Sequence, residues 1–366
     1  MSATYAEGRL QTQQNFGSGR TFCISGQEEV TIGPFHSDNQ SFWSAQAAEM
    51  PILENAAFEA VIGLGPPENP MINAWKAAVT ILQKLTDTYD DGELAPRTMV
   101  EDARTAIEVA KQITVGAPML RAFNCSLFSI CLGSKPGSDG VVMWNDVSAN
   151  EMPELFAKVP IVGNATWSVN VTEAVMHKYD ESVSIECSGS CSALLDSGSS
   201  LIGVPRSAKA QIEQAMDDLD EDCSNINVMP TLTLKLGEAL VKLTPDMYLA
   251  SLSGKIARTV LERVPQLTKA RHRCKLLLVE SDDVPEAMEG GPEYVLGLPF
   301  FRKYYVTFDL GSSVAQRAVY LASHAGDCNL KPEEANLILE RSELHTVDAS
   351  RLRLPRGPNA VPTLRK

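Results

Sequence analysis

From about Ala117 to Ala325 the chain is a succession of short apolar runs separated by turn residues, and this rhythm restricts the fold more than any other feature. "LFSICL", "GVVMW", "KVPIV", "TWSVNV" and "VSIEC" follow one another between turn residues. "TLTLKL" then alternates strictly, and "EYVLGLPFFRKYYVTFDLGSS" closes the series. Short runs at regular spacing read as strands of a mainly antiparallel β protein in two lobes. One helix, about Ser207 to Leu219, interrupts them.

The first third has a different character. "NFGSGRTFCISGQEEVTIGPF" reads as a hairpin with its tip at Phe16-Gly17-Ser18-Gly19, and "FEAVIGLG", 58 to 65, as a buried strand ending in glycine. From about Met71 to Tyr89, Trp75, Val79, Leu82 and Leu85 recur at helical spacing. Thr98 with Glu101 forms a capping box ahead of a second helix carrying Val100, Ala103, Ile107 and Ala110. Both helices are expected to turn these apolar faces onto the domain. The chain of 366 residues, 44% of them hydrophobic, holds enough apolar material for two cores. A helix-like segment, 331 to 344, and a basic tail, Arg351 to Lys366, follow the strands; the tail is expected to be a solvated, poorly ordered end.

A net charge of −14 argues against nucleic acid, because phosphate binding needs clustered Lys and Arg. No apolar run approaches the roughly 18 residues that cross a bilayer, so no membrane span is expected. The residues after Met1 show neither a basic n-region nor an apolar h-region, so no signal peptide is read there. His36, His177, His272, His324 and His345 are scattered without a zinc motif, and neither metal nor cofactor is expected. Eight cysteines suggest disulfides and an oxidising compartment, with Cys187 and Cys191 around Ser-Gly-Ser, and Cys223 and Cys274 bracketing a strand-rich stretch. Cys23, Cys125, Cys131 and Cys328 leave three arrangements open. Sequons at Asn39, Asn124, Asn164 and Asn170 fit a secretory route.

One titratable group stands out. "SALLDSGSSLIG", 192 to 203, sets Asp196 in a Ser-Gly-Ser-Ser turn between two apolar runs. Backbone N–H groups and hydroxyls in such a turn lower a carboxyl pKa, while apolar flanks raise it. The turn alone could be an ordinary loop; its neighbours decide.

"FGSG" (16 to 19), "FEAVIGLG", "LLDSGSSL" (194 to 201) and "YVLGLPFFRKYYVTFD" (294 to 309) occur in an order in which the sequence resembles the pepsin-like aspartic peptidases. The resemblance covers about residues 2 to 325, interrupted by a helical insertion at roughly 66 to 120. It implies a mainly β, bilobal pepsin-like acid protease fold: a partial N-terminal lobe in 1–158 with a flap at 14–24, a C-terminal lobe in 159–325, and a C-terminal extension, helix then basic tail, in 326–366. Asp196 matches the second catalytic aspartate of the family. The resemblance implies that Ser197 bonds across the lobe interface, that Gly198 lets the backbone approach, and that Ser199 bonds Asp196. It casts Phe16, Gly17, Ser18 and Gly19 as the substrate-covering flap, and Cys187–Cys191 and Cys223–Cys274 as disulfides. The implied ligand is a polypeptide in extended conformation, bound by a monomer in the secretory pathway, outside the cell or in a lysosome- or vacuole-like compartment.

The family's first Asp-Thr/Ser-Gly motif has no counterpart, and its expected place falls before Met1, so the chain reads as N-terminally truncated. "DLGSS" (309 to 313) has Leu310 in place of the hydroxyl residue and sits where the family has a structural turn; "SDG" (138 to 140) and "DDG" (90 to 92) read as loop turns. Without the upstream segment, Val61, Ile62 and Leu64 are expected to form an exposed apolar edge. Phe16 stands in place of tyrosine, Leu298-Pro299 in place of an acidic residue, and Ala60 in place of glycine. The expected function is an aspartic endopeptidase using a water activated between two aspartates, of which this chain carries Asp196. The alternative is a catalytically inactive peptidase-like binding protein. A serine hydrolase using Ser199 lacks the G-x-S-x-G elbow.

Overall fold

Alternation of side chains along the first strands sets up a sheet with one covered face. In the computed structural model, β1 (Ala6–Phe16) buries Leu10, Thr12 and Gln14, and β2 (Gly19–Ile32) buries Thr21 and Cys23 on the same period of two. β3 (Phe35–Glu49) completes an antiparallel meander on β2. The structure describes residues 2–16, 19–50, 53, 58–67, 69–89, 95–115, 118–135, 137–163, 166–185, 191–268, 273–281, 294–324, 326–330, 342–355 and 362–364. The expected hairpin is present, with Phe16 opposite Gly19; Gly17 and Ser18 at its tip lie outside the described residues.

"FEAVIGLG" forms no strand. Val61 is 60% and Ile62 49% exposed, as expected of an apolar edge, whereas Leu64 is half-buried against the main core and its carbonyl accepts the Trp167 indole N–H at 2.8 Å. Among the described residues no strand pairs with this stretch, so its backbone has no ladder to join.

The two expected helices are α1 (Asn69–Thr88) and α2 (Arg97–Val115), and they pack on each other. In α2 the expected Ala103 and Ala110 are buried, with Val100 and Ile107 half-buried, whereas in α1 the buried face is one residue off the expected one. Ala74 and Ala78 of α1 are buried, as are Ala103, Val109 and Ala110 of α2, while Trp75 is 39% and Val79 46% exposed. Small side chains let two helices approach closely, and that favours the alanine stripe over the bulkier one. Helix α2 starts ahead of Thr98, with the Pro96 carbonyl accepting from the Met99 and Val100 N–H groups, so Thr98 lies in the first turn and not at the cap.

The strand series then runs β4 (Leu127–Leu132), β5 (Gly140–Trp144), β6 (Ala157–Pro160), β7 (Ser168–Lys178), β8 (Glu181–Ser184), β9 (Cys191–Leu195) and β10 (Ile202–Val204). After the helix Arg206–Ala215 come β11 (Thr231–Leu236), β12 (Ala239–Leu243), β13 (Leu249–Ser253), β14 (Cys274–Leu276), β15 (Leu278–Glu280), β16 (Tyr294–Leu296), β17 (Tyr304–Asp309) and β18 (Ala318–Ser323). The strict alternation of "TLTLKL" is realised in β11, whose Leu232, Leu234 and Leu236 are buried. One sheet has the order β12-β11-β7-β9-β16-β10-β15 with β8 on β7; another has β5-β4-β17-β18-β6. The architecture is mainly β, the class that the resemblance implied. A large core joins these two sheets through Phe128, Trp167, Phe300, Phe301 and Phe308.

The C-terminal tail departs from expectation. Residues 331–341 of the expected helix lie outside the described residues, and 342–344 are not helical. Beyond them β19 (His345–Asp348) runs parallel to β13, Leu352 and Leu354 are 2% and 3% exposed, and β20 (Thr363–Leu364) pairs with β1. The tail docks because "RLRLP" alternates polar and apolar residues, so its leucines enter a second core with Leu201, Val260, Leu267 and Leu277. Burying each leucine contributes about 1.5–3 kcal/mol, enough to offset ordering of one or two residues.

Two disulfides are described, Cys223–Cys274, as the resemblance implied, and Cys131–Cys328, which pairs two of the four cysteines left open. Cys23 and Cys125 are buried free thiols, and burial pushes the Cys125 thiol up in pKa. Cys187 lies outside the described residues; Cys191 is disulfide-bonded.

A buried carboxylate knits β4 to β17. Asp146, 4% exposed, accepts from the Ser129 hydroxyl, the Ser148 hydroxyl and N–H at 2.6 and 3.0 Å, and the Tyr305 hydroxyl at 2.7 Å. Burial pushes its pKa up, but these four donors outweigh burial and hold it below the usual carboxylate value. Its contribution is therefore complete above the unfolded aspartate pKa and lost as pH falls through the folded value. Asp146→Asn should lower stability at neutral pH by about 2–3 kcal/mol and flatten the acid limb of a urea-midpoint profile; an unchanged limb would contradict this assignment.

Candidate active site

Strand β9 carries the chain into the core through Cys191, Ala193 and Leu195, each under 5% exposed, and Asp196 is the first residue to leave it. Strand β10 returns beyond the turn. Between the two lies β16, parallel to β9 through Tyr294 opposite Ala193 and Leu296 opposite Leu195, and antiparallel to β10 through Leu296 opposite Ile202. The aspartate turn therefore has to step over the end of β16. Two backbone bonds fasten it there: the Asp196 N–H donates to the Leu296 carbonyl at 3.0 Å, and the Leu298 N–H donates to the Ser199 carbonyl at 2.7 Å.

The crossing is tight enough to specify a residue. A Cβ on Gly297 would stand 2.1 Å from the Leu201 carbonyl oxygen and 2.7 Å from that of Ser199, both backbone atoms. Only glycine fits without moving the turn.

Within the turn each predicted residue has a distinct place. The Asp196 carboxylate accepts the Gly198 N–H at 2.9 Å through Oδ1, and its backbone carbonyl accepts the Ser199 N–H at 3.1 Å. Asp196 and Ser197 are half-buried and Gly198 is exposed. Ser199 is fully buried; its hydroxyl donates to the Leu201 carbonyl at 3.1 Å and accepts the Leu201 N–H at 3.3 Å, so it closes the turn onto β10. The result is a carboxylate at the surface, oriented by an N–H group and carried on a backbone that is bonded on both sides. Such a group is able to hold a water and accept its proton. Phe16 is half-buried at the end of β1, and Gly19 starts β2 with φ of 148°, where a Cβ would stand 2.2 Å from the Glu49 carbonyl oxygen.

The Asp309 carboxylate accepts the Gly311 N–H at 2.8 Å, the arrangement of a turn-capping residue between β17 and β18. Cys131, His324 and Cys328 place ligand-type atoms within 4.8 Å of one another, but the two sulfurs form a disulfide and so offer no thiolate to a metal.

Sequence reasoning missed the partner of the next residue in the turn. The Ser200 N–H donates to the Arg353 carbonyl at 2.8 Å, and the Ser200 hydroxyl accepts the Arg353 N–H at 3.0 Å. The Arg353 guanidinium lies 5.3 Å from the Phe58 ring centroid, over its face. The alternation in "RLRLP" was the available signal that this segment joins a sheet-like surface. Replacing Gly297 by alanine should cost about 2–4 kcal/mol and shift the aspartate turn, read as a lowered thermal midpoint with altered chemical shifts at Asp196 and Ser199; a variant as stable as the parent would contradict the close approach.

Comparison with known proteins agrees with this geometry. The sequence profile described as eukaryotic aspartyl protease matches residues 105–320. Cathepsin E-A of Xenopus laevis is 22% identical over 321 residues, 86% of this chain and 66% of that relative. Pepsin A of Sus scrofa is 24% identical over 315 residues, 84% of this chain and 66% of that relative. Gastricsin of Homo sapiens is 22% identical over 320 residues, 85% of this chain and 67% of that relative. The chain thus spans about two thirds of the length of the curated relatives it matches. The profile match takes in more than half of the chain, including β9, the Asp196 turn and β16. On this match and on the strand arrangement just described, the chain belongs to the eukaryotic aspartyl protease family and has its mainly β, bilobal pepsin-like fold.

Proposed function

We propose that the protein is an aspartic-type endopeptidase acting on polypeptides in extended conformation, with Asp196 as one of its two working carboxylates. The observation that carries this reading is the half-exposed Asp196 carboxylate on a turn fastened to β16 from both sides. Peptide hydrolysis by this route needs a second carboxylate facing the first. Two such groups about 3 Å apart cannot both ionise and share one proton, the aspartic-protease pair being the standard example of the effect. One then takes a proton from a water while the other donates to the scissile carbonyl oxygen, which places activity in acid. The β1–β2 hairpin, with Phe16 at its end, is the element assigned to cover the substrate, and Ser197 and Gly198 are assigned to support of Asp196. We assign residues 1–158 to the N-terminal lobe and 159–325 to the C-terminal lobe. The two disulfides fit an oxidising compartment such as the secretory pathway.

A second reading, a peptide-binding protein without turnover, is favoured by the altered flap, in which Phe16 stands in place of tyrosine. Asp196→Asn separates the readings. With a quenched fluorescent peptide near pH 4, the endopeptidase reading expects kcat/KM to fall roughly a thousandfold or more while peptide binding is retained. Cleavage that survives the substitution contradicts it, and binding without cleavage in the parent chain supports the second reading.

A further inference from the structure

We propose that the C-terminal segment, through its described parts 345–355 and 362–364, is a built-in strap that occupies the ground an extended peptide ligand would take beside Asp196, so that the site opens to peptides only when the strap is released. The inference rests on the reading of this turn as a peptide-handling site. Three contacts carry it. The strap is bonded to the aspartate turn itself: Ser200, four residues beyond Asp196, gives its N–H to the Arg353 carbonyl at 2.8 Å and takes the Arg353 N–H on its hydroxyl at 3.0 Å. One main-chain bond, with the Ser200 hydroxyl standing in for the second, holds Arg353 in the way a sheet edge captures an extended peptide, with alternate side chains entering the protein. Leu352 and Leu354 on either side of Arg353 do so, each nearly fully buried.

The second contact is on the hairpin. Thr363 and Leu364 pair with Gln11 and Leu10 of β1, so the strap touches both the aspartate turn and the sheet that bears the hairpin. An extended peptide held between turn and hairpin would compete with it for these elements. The third is electrostatic. Residues 345–364 carry three arginines, Arg351, Arg353 and Arg356, against one acidic residue, Asp348, in a chain of net charge −14, so attraction to the rest of the protein favours docking and weakens as salt rises. The strap is held by the short β19 and β20 ladders, the Ser200–Arg353 pair and two leucines of the second core, so it can detach without the main core opening.

The test uses the full chain with a site-specific protease recognition sequence inserted between Glu334 and Ala335. Cutting there leaves the strap without a covalent link, because the last cysteine, Cys328, precedes the cut. The probe is a fluorescein-labelled hexapeptide, Ala-Ala-Phe-Leu-Ala-Ala, whose order differs from that of the strap, with affinity read by anisotropy. The cut chain should bind at least tenfold more tightly than the uncut chain. Arg353→Pro, which deletes the N–H given to Ser200, should raise affinity in the uncut chain in the same direction. Equal affinity before and after cutting overturns the proposal, as does a cut chain that loses its near-ultraviolet circular dichroism without gaining affinity. Cleavage of the same probe is followed separately. Binding by the cut chain without cleavage leaves the strap standing while the peptidase reading falls; cleavage by the uncut chain as fast as by the cut chain does the reverse.

Discussion

Strand β16 lies between two strands joined by a single short turn, and nearly everything functional in this chain follows from that insertion. A turn that crosses the end of a strand cannot relax sideways, and here it is bonded at Asp196 to the last residue of β16 and at Ser199 to Leu298 just beyond it. The absence of a Cβ at Gly297 lets the two backbones approach closely enough for both bonds to form. Buried Ser199 then ties the turn to Leu201 at the start of β10. The carboxylate of Asp196 is thus positioned through its main chain, and its side chain remains accessible for chemistry. Preorganisation of this kind removes the reorganisation that a mobile acid would need before each proton transfer.

The same core that carries the turn also reaches the tail. Leu201, the residue that receives Ser199, belongs to the second core, together with Leu352 and Leu354 of the C-terminal segment. The aspartate turn, its supporting strand and the tail are therefore mechanically adjacent. Loosening of the tail and exposure of the turn are expected to be linked because they share Ser200 and Leu201. Acid conditions act at a different place, the Asp146 cluster between β4 and β17, so stability and site chemistry respond to pH through separate carboxylates.

Much of this was legible in residue order, for identifiable reasons. Strict alternation in "TLTLKL" and the glycine-tipped "NFGSGRTF" specify their own strands, because period two and turn residues act locally. The Asp196 turn was visible as a charged residue between apolar runs. What escaped depended on partners distant in sequence. "FEAVIGLG" has the composition of a buried strand but finds no ladder among the described residues, and propensity cannot supply one. Trp75 and Val79 are apolar at helical spacing, yet the alanines beside them allow the closer approach of α1 and α2. The tail escapes because its basic charge masks the alternation that docks it. The bonds between Ser200 and Arg353 span 153 positions, beyond any local pattern.

Amide hydrogen exchange resolved at single residues tests the central claim most directly. If the insertion of β16 fixes the aspartate turn, the N–H groups of Asp196, Ser199 and Leu298 exchange only through global unfolding, with protection equal to that of Ile202 in β10. Exchange of Asp196 and Leu298 on the fast timescale of exposed Val61 and Ile62, while Ile202 stays protected, would contradict the account.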